Sequence, residues 1–149
     1  MGVRVFAGLL KAHAATTRQL NAQLVAEHGL TINDYEVLFR LARAPDRRMR
    51  RVDLAEQVLL TASGITRLLD GLEQAGYVER AACSSDRRVV YAVLTDDGLA
   101  KLHEAARSHL AQVDALFAER LGRDEQEQIA TLLWKLGDGE SPPSCDPTE

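Results

Sequence analysis

The chain has 149 residues, 46% of them apolar, and a formal net charge of −4. That is the length of one compact domain with a sizeable core, or of a small domain with added helices, and it leaves no room for two enzyme-sized domains. No window approaches the roughly 18 uninterrupted apolar residues of a membrane span, and residues 1–10 lack the apolar h-region and cleavage site of a signal peptide, so a cytoplasmic protein without membrane contact is expected.

Phe6, Leu10, His13, Thr17, Leu20 and Leu24 recur at 3.5-residue spacing, with Leu9 and Ala12 beside them, which predicts a helix over 4–27 closed by Gly29. Thr31 or Asn33 caps the next helix, whose apolar face is Tyr35, Leu38, Phe39 and Leu41 and which Pro45 ends. The basic run Arg47, Arg48, Arg50, Arg51 follows as a turn. A short helix with Leu54, Ala55 and Val58 inward leads through Leu59 and Leu60 to a fourth helix beginning near Thr61. There Ile65, Leu68, Leu69 and Leu72 form a stripe that leaves Ser63, Thr66, Arg67 and Asp70 outward.

Residues 77–95, YVERAACSSDRRVVYAVLT, read as two strands joined by a polar loop with a cationic tip. Val78, Arg80 and Ala82 alternate with Tyr77, Glu79 and Ala81, and Val89 to Thr95 has strong strand preference. Thr95 or Asp96 then starts a long helix through Leu99, Leu102, Ala106, Leu110, Val113, Leu116, Phe117 and Leu121, about 40 Å long and broken by Gly122. Asp124 and Glu125 open a last helix carrying Ile129, Leu132, Leu133 and Leu136, with Trp134 on another face. The polar, Pro-rich segment after Gly137 is expected to be disordered.

The charges are unevenly spread. Residues 40–91 hold ten Arg against seven Asp and Glu, a net +3, so the flanks carry −7. A local basic face suits phosphates, because charges more than about 10 Å away are screened at ordinary salt. Residues 51–75 supply a short bracing helix followed by one able to enter a major groove. On its exposed face Thr61 and Ser63 are placed to bond base edges or phosphates, Thr66 to offer a methyl to thymine, and Arg67 to reach guanine or phosphate, with Asp70 one turn on holding Arg67. Of the basic run, Arg50 and Arg51 are candidate phosphate contacts. At the ribbon tip Arg88 suits a narrow minor groove, Asp86 is placed to fix its rotamer, and Arg87 points to phosphate.

The helix order, together with 59–67 (LLTASGITR, which includes Gly64), 68–76 (LLDGLEQAG), the DRR of the ribbon and 93–98 (VLTDDG), resembles the MarR family of bacterial transcriptional regulators over residues 4–136. Asp86 and Arg88 match that family's Asp-x-Arg wing pair. Gly71 departs from it, standing where a basic residue is common. The resemblance implies a mainly α (α+β) fold, with a winged helix-turn-helix DNA-binding lobe at 31–94 and N- and C-terminal helices, 4–30 and 95–136, forming a dimerisation domain, followed by a disordered tail at 137–149. It also implies a homodimer on double-stranded DNA with a pseudo-palindromic operator, usually as a repressor released by a small aromatic or lipophilic effector or by thiol oxidation. The apolar stripes argue for the dimer independently, since a winged helix of about 60 residues cannot cover three further helices. The effector pocket is expected where the first, second and fifth helices meet the lobe, with His13, Thr17 and Tyr35 in its lining and Arg18 as a partner for an acidic effector.

No glycine-rich phosphate loop, nucleophile–base motif or metal-ligand cluster points to an enzyme, a cofactor or a metal; His103 and His109 are six residues apart and miss the i, i+4 spacing of a helical two-His site. The two cysteines, Cys83 and Cys145, make no disulfide framework. Two alternatives stand beside the ligand-responsive regulator. One is a winged-helix module for protein contact without sequence-specific DNA binding. The other is a redox-sensing regulator using Cys83, whose thiol lies near Arg80, Arg87 and Arg88 in sequence; oxidant-sensing members carry the reactive cysteine in the first helix, where this chain has none.

Overall fold

The computed structural model describes residues 1–82 and 88–137. They form α1 (Gly2–His28), α2 (Ile32–Arg43), β1 (Arg48–Arg50), α3 (Arg51–Gln57), α4 (Ala62–Gln74), β2 (Val78–Ala82), β3 (Val90–Leu94), α5 (Asp96–Ala118) and α6 (Arg123–Leu136), with a 3₁₀ turn at Pro45–Arg47. The mainly helical fold with a small antiparallel sheet is the expected winged helix-turn-helix. Among the described residues no helix is long and apolar enough to cross a membrane. The chain divides into two compact units, Met1–Leu110 and Ala111–Glu149.

In the first unit local chemistry sets most boundaries. Thr31 is the N-cap of α2: its hydroxyl accepts from the Asp34 amide (3.1 Å) while its own amide donates to the Asp34 carboxylate (2.8 Å), a reciprocal capping box. Asn21 takes another unpaired amide of that helix, Ile32 N (3.0 Å). Thr61 caps α4 from one side only, its hydroxyl accepting from Gly64 N at 3.1 Å. Gly76 leaves α4 at φ 78°, a left-handed geometry that glycine adopts without a Cβ penalty.

The core is one cluster to which every element of this unit contributes. Leu24 of α1, Val37, Leu38 and Leu41 of α2, Leu54 of α3, Ile65, Leu69 and Leu72 of α4, Val78, Ala92 and Leu94 of the sheet, and Leu102 and Ala105 of α5 are all buried in it. The sheet order is β1-β3-β2, all antiparallel, with Met49 opposite Ala92 and Arg80 opposite Ala92 from the other side. The expected turn at the basic run is therefore partly a strand. Three residues are too few for their alternation, Met49 inward between two exposed arginines, to mark a strand in the sequence, and it is pairing with β3 that makes them extended.

Between α3 and α4 the chain turns through Leu59, which is left-handed (φ 55°) and 91% exposed. A branched side chain in that region is strained and here buries nothing in return. Leu59→Gly is expected to raise stability by about 0.5–1 kcal/mol, the strain relief less the added entropy of the unfolded chain, measurable as a higher urea midpoint.

Where α1, α2 and α5 meet, polar side chains are enclosed. His28 contacts Ser108 Oγ through Nε2 (2.6 Å) and Glu104 Oε1 through Nδ1 (3.3 Å). His109 is 7% exposed, its ring centroid 4.6 Å from that of Tyr35, and among the described residues its Nδ1 has no hydrogen-bond partner. Burial, and secondarily the charge of His28, holds the His109 pKa below the ordinary histidine value. The unfolded chain thus takes up the proton first. Stability is full above about pH 6.5 and declines as pH falls through that value, by at most about 1.4 kcal/mol per pH unit. His109→Phe should flatten this slope between pH 7.5 and 5.5. The Glu104 carboxyl, held below its ordinary range by His28 and then Lys101, titrates outside that window.

In the second unit α5 ends at Ala118, earlier than the expected Leu121, so its 23 residues span about 35 Å. Phe117 O accepts from the amides of Arg120 (3.1 Å) and Leu121 (2.9 Å), closing the turn. Gly122 caps α6, its amide bonded to Glu125 Oε2 at 2.8 Å, and no residue of α6 is buried in the single chain.

Candidate nucleic-acid interface

The exposed face at the start of α4 is short and polar. Ser63 and Arg67 are exposed, and Thr66 is half-buried. Each hydroxyl is differently committed. Thr61 Oγ1 is spent as the N-cap acceptor and lies 3.3 Å from Ser63 Oγ. Thr66 Oγ1 donates to Ala62 O at 2.8 Å, so its methyl rather than its hydroxyl remains for an outside contact. Ser63 keeps the more available hydroxyl. Gly64 sits tight under the cap: a Cβ there would lie 3.1 Å from Thr61 Oγ1.

Asp70 does not hold Arg67 as the sequence suggested. Its carboxylate is taken by the Arg80 guanidinium from β2, which also lies 3.2 Å from Glu73 Oε2. The partner three residues away along the helix loses to one ten residues away because β2 packs directly against α4. Among the described residues Arg67 has no ion-pair partner.

The basic run divides by role. Arg47 pairs with Asp96 (2.9 Å), and the Arg48 guanidinium lies 4.1 Å over the Tyr91 ring. Arg50 makes a bidentate pair with Asp53, at 2.7 and 2.8 Å, which raises its pKa further above an already high value. Arg51 opens α3 and has no ion-pair partner among the described residues. Arg50, Arg51 and Val52 then meet Arg88, Val89 and Val90 around one shallow cleft. Three guanidinium-bearing residues, far apart in sequence as 50–51 and 88, thus converge where β1 joins α3 beside the returning ribbon strand. A second cleft, lined by Arg51, Val52, Ala55, Glu56, Leu60, Ala62 and Ile65, lies between α3 and α4.

Asp86, Arg87 and Cys83 lie outside the described residues, and so does the Asp86–Arg88 pairing. Of the expected effector residues, His13 and Arg18 are exposed on α1 in the single chain, while Thr17 and Tyr35 are half-buried. None of the four lines either cleft described above. Among the described residues no group of three His, Cys, Asp or Glu side chains could hold a metal ion.

Sequence reasoning missed β1, the Arg80 pairing and the burial of His109. Only the second carried a signal: Arg80 shares a strand face with Val78, which points it at whatever Val78 packs on.

Comparison with known proteins places this geometry. A profile described as the MarR family matches residues 30–90. The chain is 27% identical over 135 residues to the HTH-type transcriptional regulator MhqR of Bacillus subtilis, covering 91% of this chain and 90% of that protein. It is similar in structure to AbsC, a MarR family transcriptional regulator from Streptomyces coelicolor, with a TM-score of 0.78 and 32% identity over 91% of this chain and 90% of that one. A second Streptomyces coelicolor MarR family regulator, solved in complex with DNA, superposes with a TM-score of 0.80 at 29% identity, covering 95% and 89% of the two chains.

Proposed function

Since the chain belongs to the MarR family of transcriptional regulators, we propose that it binds a pseudo-palindromic DNA operator as a homodimer and acts as a repressor released by a small effector. The observation that carries the DNA reading is the convergence of Arg50, Arg51 and Arg88 on one cleft, in the same lobe as the polar N-terminal face of α4. That face suits a major groove. The arginine cleft suits the phosphate rail and the adjoining minor groove, where low-dielectric walls focus potential. The DNA-bound relative supports the same reading by analogy of fold.

Homodimer formation is supported by what the single chain leaves uncovered. On α1, Phe6 (62% exposed), Leu9 and Leu10 face solvent; on α6, Ile129, Leu132, Leu133 and Trp134 do so. Each stripe is by itself an exposed apolar patch on its helix, and a second copy offers a matching one. The effector, a small aromatic or lipophilic molecule, releases the operator only if it binds a dimer of unsuitable spacing better than the competent one; a tenfold shift needs about 1.4 kcal/mol of differential affinity.

The test is selection of DNA fragments by the purified protein, followed by sedimentation of the complex and titration in rising salt. A palindromic site bound by two chains, with affinity falling steeply as counterions are released, is the expected result. Weak, sequence-indifferent binding by a monomer would replace this reading with that of a protein-contact module.

A further inference from the structure

The guanidinium of Arg80, on β2 of the lobe's ribbon, turns back onto α4. It donates through Nη2 to the Asp70 carboxylate, and its Nε is 3.2 Å from Glu73 Oε2. Asp70 and Glu73 are three residues apart, on successive turns of one helix face, so a single planar guanidinium spans both. Val78, two residues before Arg80 on the same face of β2, is 1% exposed in the core. The strand is therefore held against α4 by an apolar contact at one end and by this two-carboxylate clasp further along, toward the ribbon tip. Arg80 itself is opposed by two negative charges and belongs to a cluster of net −1, an unsuitable arrangement for receiving a phosphate.

We propose that Arg80 is a positioning residue for DNA recognition: it clasps the wing to the groove-reading helix and so holds their two DNA contacts at one separation. This rests on the DNA-binding reading above. The physical reason is that helix and wing are two binding elements on one body. Once one is seated, the second binds at an effective concentration set by how narrowly its position is distributed. Without the clasp, the outer part of β2 is held only by its ladder to β3 and samples more orientations, which must be ordered on binding; the clasp orders it in advance. The effect concerns DNA on which both elements dock together. It leaves binding through phosphates alone largely unchanged.

Full-length wild type, Arg80→Gln and the pair Asp70→Asn with Glu73→Gln are titrated with the selected operator and with a random duplex of equal length, at several salt concentrations. The clasp predicts that both variants lose about tenfold on the operator, stay within about twofold of wild type on random DNA, and keep the wild-type salt slope, because no phosphate contact is removed. Combining all three changes should cost no more than either variant alone. Were Arg80 instead a phosphate contact, Arg80→Gln would weaken both duplexes and lower the salt slope by about one. Removing the two carboxylates would then strengthen DNA binding, and that opposite sign overturns the proposal. Urea midpoints confirm folding; if Arg80→Gln is unfolded, the carboxylate pair carries the test alone. A wild type that selects no duplex sinks the DNA reading and the clasp with it, whereas a selective wild type matched by its variants sinks only the clasp.

Discussion

Gly98→Ala is expected to destabilise the protein by about 3 kcal/mol or more, lowering the thermal midpoint by about 10 °C. Gly98 lies in the first turn of α5, where the long helix leaves the sheet. A Cβ built on it would stand 2.1 Å from Tyr77 O and 2.8 Å from Leu94 Cδ1. The leucine methyl can rotate away, but the carbonyl cannot. Tyr77 O accepts from Thr95 N at 3.1 Å, Thr95 Oγ1 donates to Gly76 O at 2.7 Å, and the same hydroxyl accepts from Gly98 N at 3.0 Å. Any shift that clears the Cβ breaks this knot, which fastens the end of α4, the start of β2 and the cap of α5 together. Gly71→Ala supplies the control. Nothing lies within 4 Å of a Cβ there, the site is an exposed helix interior, and a gain of about 1 kcal/mol is expected. Chemical denaturation of the two variants should therefore move in opposite directions; equal and small shifts would mean that the close approach at Gly98 is relieved without cost.

Arg88→Ala is expected to weaken operator binding about 10- to 100-fold, or roughly 1.4–2.8 kcal/mol, and to reduce the salt slope by about one. Arg88 is exposed where the ribbon returns to β3, and it shares its cleft with Arg50 and Arg51. Arg50 is partly neutralised by Asp53, which weakens its own pull on an incoming phosphate. Folding stability should change by less than about 0.5 kcal/mol, because the side chain contributes nothing to the core. Arg88→Lys should restore little if the guanidinium plane is what fits the groove, and most of the affinity if only charge matters. An operator affinity within twofold of wild type after Arg88→Ala would remove this part of the wing from the interface. The loss should be largest on sites with A·T-rich flanks, whose narrow minor groove most favours an arginine.

These two residues differ in how visible they are from sequence. Arg88 is legible, because a strand-rich segment ending in Asp-Arg-Arg after an amphipathic helix announces a cationic tip. Its meeting with Arg50 and Arg51 is not, since that depends on β1 pairing with β3 in the register Arg50 to Tyr91. Gly98 is visible only as a helix-start glycine, and the carbonyl it makes room for comes from a residue 21 positions earlier. Asp70 shows the same limit: spacing along α4 suggests Arg67, and the packing of β2 supplies Arg80 instead. The apolar stripes of α1 and α6 were equally legible, yet periodicity cannot say what covers a stripe. Leu20 and Leu24 are buried within the chain, while Phe6 and Leu10 on the same helix are not.

The sequence by itself determined the identity and order of six helices and the two-stranded ribbon, the helix boundaries near Thr31, Thr61 and Gly122, and the basic middle of an acidic chain. Those features arise from interactions within about four residues, where side-chain spacing and turn chemistry act directly on the backbone. Only the tertiary structure decided that an arginine-rich turn becomes a strand, that Arg80 clasps Asp70 and Glu73, that His109 is buried, and that Arg88 joins Arg50 and Arg51. Each of these joins groups distant along the chain. Their meeting follows from how the core packs and how the strands register, which local preference does not encode.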